Sequence, residues 1–215
     1  MHISLLATFV AVATAHFLAL LSPGPDFVLI VKSAIKNKHI NAVGVAFGIA
    51  SANAVYILLC LVGIGSFLAT SAPLLIALKL LGGLFLLYLA VQAIRAKRED
   101  YKGLAMEERG AACNTSFLKE FVTGFISGIS NPKNLLFYLS LFTVVLTKDV
   151  GLGFKVALGV WMTLVVLFWD MAIIFVLSTS RVRRKFAKIA FYIDKVAGAI
   201  LGLIGLAILK SAFAK

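Results

Sequence analysis

Six apolar stretches, about Ile3 to Val31, Asn41 to Gly65, Leu74 to Ile94, Phe117 to Thr147, Leu152 to Thr179 and Ala190 to Ser211, occupy most of this chain. A helix needs roughly 20 residues to cross a hydrocarbon core about 30 Å thick, and every stretch reaches that length. Six spans and their loops use up the 215 residues and leave no room for a sizeable soluble domain. Charged residues make up only 14% of the chain, against about 25% in soluble domains. The sequence therefore predicts an all-α, polytopic membrane protein of six transmembrane helices, with the lipid bilayer as its solvent.

A net charge of +12 would suggest nucleic acid if the basic residues formed one patch. They lie between the apolar stretches instead: 14 of the 21 Lys and Arg residues fall in Lys32 to Lys38, Arg95 to Lys119 and Arg181 to Lys188. That alternation is how cytoplasmic loops look under the positive-inside rule, so the charge reports topology, predicts periplasmic termini and excludes nucleic acid as a partner. The first 20 residues have no basic start and read as a retained helix rather than a cleaved leader.

The first and fourth stretches are close to 30 residues each, about 45 Å as straight helices, and both contain a break. Ser22-Pro23-Gly24-Pro25-Asp26 interrupts one and Ser130-Asn131-Pro132-Lys133-Asn134 the other, because proline removes a donor and disfavours helix before it. The halves also match: Phe17 to Ser22 lies on Phe125 to Ser130 and Lys79 to Gly82 on Lys195 to Gly198, at offsets of 108 and 116 residues. An odd number of spans per unit requires opposite orientations, so residues 1–98 and 117–215 are expected to be inverted three-helix repeats joined by a cytoplasmic linker over 99–116. Gly44 and Gly48, Gly124 and Gly128, and Gly198 and Gly202 recur at the four-residue spacing that lets helices pack closely in lipid.

Backbone freed by a break at membrane depth must line a cavity or be buried in protein. The half-helix after each break offers N–H groups and a positive dipole end to an anion such as a carboxylate, with Ser22 and Ser130 as expected N-caps. Laying Pro25 on Pro132 sets Asp26 opposite Lys133, so a zwitterion would find both signs of charge. One reading gives Asp26 a substrate ammonium or a proton and Lys133 a carboxylate; the other is a structural Asp26–Lys133 ion pair. The expected substrate-binding set is Ser22, Gly24, Asp26, Asn53, Asn131, Lys133 and Asn134. Asp26, Asp170 and His16 are the expected proton-coupling groups, since ionisable residues at depth are costly unless they work. Asn53 and His16 also have packing readings, Tyr56 lies one turn from Asn53, and Lys79, Asp194 and Lys195 are explained as snorkelling at the interface.

These residues carry a resemblance. The run Ser22 to Phe27, the Gly44 to Gly48 region, the stretch Lys79 to Ala90 and Asn131-Pro132-Lys133 together resemble the LysE/RhtB family of bacterial amino-acid exporters over nearly the whole chain. His16 and the run Tyr192 to Ile200 look most like its threonine efflux branch. Phe85 and Ala90 depart from the family's expected Tyr and Gly. The resemblance implies export of small amino acids such as threonine or homoserine across the inner membrane, driven by protons and without a bound cofactor; whether a second copy of the chain is needed stays open.

Two other classes were weighed. An intramembrane serine protease would use Ser130 as nucleophile and His16 as base, but His2, His16 and His39 all precede the serine. A transmembrane redox carrier would need a cysteine pair on the broken helices, and Cys60 and Cys113 are not there.

Overall fold

The computed structural model describes residues 5–22, 24–64, 72–101, 115–145 and 150–213. His2, Pro23, the loop after the second stretch, most of the linker with Cys113, and Lys148 and Asp149 lie outside these described residues. Among the described residues there are eight α-helices: α1 (Leu5–Leu21), α2 (Pro25–Lys36), α3 (His39–Leu59), α4 (Ala72–Arg95), α5 (Phe117–Ser130), α6 (Pro132–Val145), α7 (Leu152–Leu177) and α8 (Ser180–Phe213). A π turn, Cys60–Ile64, follows α3, and a 3-10 turn, Arg98–Tyr101, follows α4.

Both expected breaks are real. The pair α1 and α2 is bent by 54°. Pro25 takes the first position of α2, with Asp26 in the first turn and Lys36 in the last, each matching the helix dipole. At the second break α5 and α6 contain 14 residues each on either side of Asn131, about 21 Å apiece and too short to cross alone. Among the described residues four helices are long and apolar enough to cross a membrane, and a fifth span results if the bent α1–α2 pair counts as one. The stretch expected to form the fourth span is divided between the two short helices α5 and α6.

The expected caps are corrected. Gly24, not Ser22, precedes α2 and caps it with no side chain. Ser130 is the last residue of α5, and Asn131 starts α6, its Oδ1 accepting from the Lys133 amide at 3.0 Å. Proline's place decides this: both Pro25 and Pro132 occupy the first helical position, which leaves the residue immediately before each as the cap.

Helix α3 crosses α5, and α4 crosses α8, in the two most extensive contacts of the bundle. A Cβ on Gly44 or Gly48 would lie less than 3 Å from backbone of Phe117 or Phe121, and one on Gly124 would strike Val45 backbone. Gly83 and Gly205 meet reciprocally between α4 and α8, where a Cβ on either would lie about 3 Å from the other's carbonyl oxygen. The four-residue glycine spacing is thus spent on backbone contact, as association in lipid requires. Gly48→Ala is expected to cost about 1–3 kcal/mol through overpacking and to lower the melting temperature of the detergent-solubilised protein. Gly153→Ala, with nothing within 4 Å, should be neutral.

The described ends of the first two basic segments lie close together, with Lys32 and Arg95 lining one space. Ser33 donates to Glu120 at 2.6 Å, Asn41 to the Thr115 carbonyl at 2.8 Å, and Phe27 stacks on Phe186. Arg98 lies over the Phe191 and Tyr192 rings. Leucines and phenylalanines such as Leu58, Leu81, Leu84 and Phe168 are exposed on the outer faces of the spans, where a soluble protein would carry polar groups.

Candidate functional site

The breaks leave helix-end carbonyls short of intrahelical donors, and side chains supply them, Lys133 and Tyr56 from the other half of the chain and Asn134 from the same half. At the end of α1 the Lys133 ammonium donates to the carbonyls of Ala19 at 3.3 Å and Ser22 at 3.0 Å. At the end of α5 the Asn134 amide donates to the Gly128 carbonyl at 3.3 Å, and the Tyr56 hydroxyl donates to the Ile129 carbonyl. This is the accounting that irregular backbone at membrane depth demands.

Asp26 completes the exchange. Its Oδ1 accepts from Ser127 at 2.6 Å, and its Oδ2 accepts from Asn131 at 2.9 Å and Asn134 at 2.8 Å. The residue after each helix-opening proline therefore grips the opposite break: Asp26 holds the α5–α6 junction and Lys133 holds the end of α1. Asp26 and Lys133 form no ion pair with each other, so the structural alternative read from the sequence is replaced by two separate, charge-assisted clamps.

The clamped breaks enclose a cavity of about 60 Å³ where the two apolar clusters of the bundle meet. All nine residues singled out in the sequence line it: His16, Ser22, Gly24, Asp26, Asn53, Asn131, Lys133, Asn134 and Asp170. Phe137, Tyr138 and Trp169 form the aromatic part of its wall.

Three deeply buried side chains bring unpaired polar atoms to this cavity. Asn53 is 4% exposed and Asp170 6%, and Asn53 Oδ1 and Asp170 Oδ2 have no hydrogen-bond partner among the described residues. His16 is 1% exposed; its Nε2 contacts the Met162 carbonyl at 3.2 Å, while Nδ1 is unpaired. Buried polar groups are ordinarily satisfied, so three orphans on one small cavity mark it as a place for water or a polar guest. The His16 ring is engaged with Met162 on α7 rather than with Ser130, which removes the geometry a protease would need.

A larger vestibule of about 600 Å³ adjoins the cavity on the basic-loop side and shares Ser22, Gly24 and Lys133 with it. Its wall includes Lys32, Gln92, Arg95, Asp100, Tyr101 and Asp194. The two spaces thus meet at the Lys133 clamp.

Residues 17–212 match the LysE type translocator family. The chain belongs to that family. It is 28% identical to the threonine efflux protein of Salmonella typhi over 209 residues, covering 96% of this chain and 100% of that one. It is 27% identical to the threonine efflux protein of Escherichia coli K12 over the same shares. An uncharacterized membrane protein of Haemophilus influenzae is 26% identical over 195 residues, 88% of this chain and 90% of its own. No solved structure matches the chain.

Some features of this LysE type translocator escaped the sequence. Ser127, Tyr138 and Trp169 gave no signal that set them apart from other small or aromatic residues in apolar stretches. Asp194 and Lys195 are not snorkelling residues. Asp194 is 5% exposed and accepts from the Tyr101 hydroxyl. The Lys195 ammonium donates to the carbonyls of Ala93, Ile94 and Ala96, capping α4 as Lys133 caps α1. Burial and the Asp194 carboxylate beside it push the Tyr101 phenol well above its ordinary pKa, so it stays a donor at physiological pH. Lys79 does reach the helix-end region as expected, donating to the Ser211 carbonyl at 3.2 Å.

Proposed function

We propose that this translocator exports a small, threonine- or homoserine-like amino acid across the bacterial inner membrane, driven by the proton gradient. One observation carries the reading: a cation, two carboxylates and an unpaired amide line a single cavity where two interrupted helices cross-brace. A zwitterion is the ligand that uses both signs of charge at once. Its carboxylate would take the Lys133 ammonium and the first N–H groups of α2, which no side chain caps. Its ammonium would face Asp26 and Asp170, and Asn53 would meet a side-chain hydroxyl. The relatives from Salmonella typhi and Escherichia coli are threonine efflux proteins, which agrees with such a guest.

The cavity is smaller than the roughly 300 Å³ or more usual for ligand sites, so loading requires the breaks to part. We read the chain as six spans in two inverted three-helix units, 1–98 and 117–215, with the termini periplasmic and the basic end cytoplasmic. Support comes from the matching places of Pro25 with Asp26 and Pro132 with Lys133 at the starts of α2 and α6. Parting one break while the other stays clamped would open the cavity to one side at a time. Proton binding at Asp170 would supply the coupling.

The test is uptake of a panel of labelled amino acids into inside-out vesicles with and without an imposed pH gradient. Saturable uptake of threonine or homoserine that depends on the gradient is expected. Uptake of no amino acid would remove the proposal, and uptake indifferent to the gradient would remove its proton coupling.

A further inference from the structure

The vestibule contains a buried acid that the inner site does not use. Asp194 projects from α8 and lines the vestibule, yet it is only 5% exposed. Its Oδ2 accepts from Tyr101, whereas Oδ1 has no hydrogen-bond partner among the described residues. A carboxylate held with one oxygen fixed and the other unpaired is prepared to receive a donor. Lys32 and Arg95 lie on the same vestibule and are exposed. Among the described residues neither the Lys32 ammonium nor the Arg95 guanidinium has a hydrogen-bond or ion-pair partner that would compete for an anion. The space, about 600 Å³, falls in the range of small-ligand pockets.

We propose that Asp194 is the ammonium-binding residue of a second, outer subsite in this vestibule, where an amino-acid zwitterion docks with its carboxylate toward Lys32 and Arg95 before passing Lys133 into the inner cavity. The inference rests on the transport reading above and adds a residue and a location to it. Tyr101 positions the acid: its hydroxyl fixes Oδ2 and leaves Oδ1 for the guest. A carboxylate selects an ammonium over a hydroxyl at the same carbon, so this subsite would favour an α-amino acid over its α-hydroxy analogue.

The experiment compares wild type, Asp194→Asn and Tyr101→Phe in inside-out vesicles, which present the basic end to the medium. Threonine uptake is measured with and without the matching α-hydroxy acid as competitor. For Asp194→Asn the expected result is a KM raised about tenfold, a larger factor than any fall in maximal rate, together with weakened discrimination against the hydroxy acid, of which the inner carboxylates keep a part. Tyr101→Phe should diverge from it, keeping the discrimination because the carboxylate remains. Equal losses in the two variants, with reduced folded yield, would show a structural Tyr101–Asp194 pair and overturn the subsite. Wild-type transport with an unaltered KM and selectivity in Asp194→Asn would also overturn it, whereas a wild-type chain that carries no amino acid would defeat the transport reading on which it stands.

Discussion

Asp170→Asn is expected to stop uphill export without lowering stability. Asp170 is deeply buried on α7 and its Oδ2 has no hydrogen-bond partner among the described residues, so as a structural residue it is a liability: a buried, uncompensated acid costs free energy. Asparagine keeps its shape and removes the ionisable group. If the acid is retained for proton coupling, gradient-driven transport should fall at least about 100-fold, equivalent to ~2.7 kcal/mol of barrier. Exchange of labelled for unlabelled substrate, which needs no net proton movement, should persist. The melting temperature in detergent should stay level or rise. A variant that still concentrates substrate against its gradient would exclude Asp170 from coupling.

Opening either clamp should cost both fold and transport. Lys133→Ala leaves the Ala19 and Ser22 carbonyls at the end of α1 without their donor, and Asp26→Ala leaves Ser127, Asn131 and Asn134 without their acceptor. Each unsatisfied buried group costs about 1–3 kcal/mol. Both variants are therefore expected to melt at clearly lower temperature and to lose at least about 100-fold in transport rate. Asp26→Asn should be milder in stability, because its amide oxygen still accepts from two donors at most, yet equally inactive because the negative charge is gone. Thermal unfolding and vesicle uptake on the same preparations separate the effects. Retained transport in both Asp26→Ala and Lys133→Ala would confine these residues to packing.

The sequence carried the breaks because proline and glycine punctuate helices locally. It also carried the polar lining, since His16, Asn53, Asp26, Lys133 and Asp170 stand out by sitting in lipid-length apolar stretches, where such residues are costly. What each side chain touches was not legible. Lys133 meets carbonyls more than 100 residues away, at Ala19 and Ser22, and Tyr56 meets Ile129 only because α3 and α5 cross at glycine contact. The caps were misread for a smaller reason: serine has the better intrinsic preference, but the proline at the first helical position moves the cap to Gly24 and Asn131. Asp194 was misread because a charge beside a basic loop looks solvated until the 3-10 turn brings Tyr101 over it.

The most direct measurement places a single cysteine at Asn53 in a chain whose Cys60 and Cys113 are replaced by serine, and follows its reaction with a small charged thiol reagent in vesicles. Water reaching the cavity between the breaks predicts that the thiol reacts, and that saturating threonine slows the reaction by filling the same space. A thiol that is inert to the reagent, or one whose rate ignores every amino acid offered, would contradict a hydrated binding cavity at the crossing of the two broken helices.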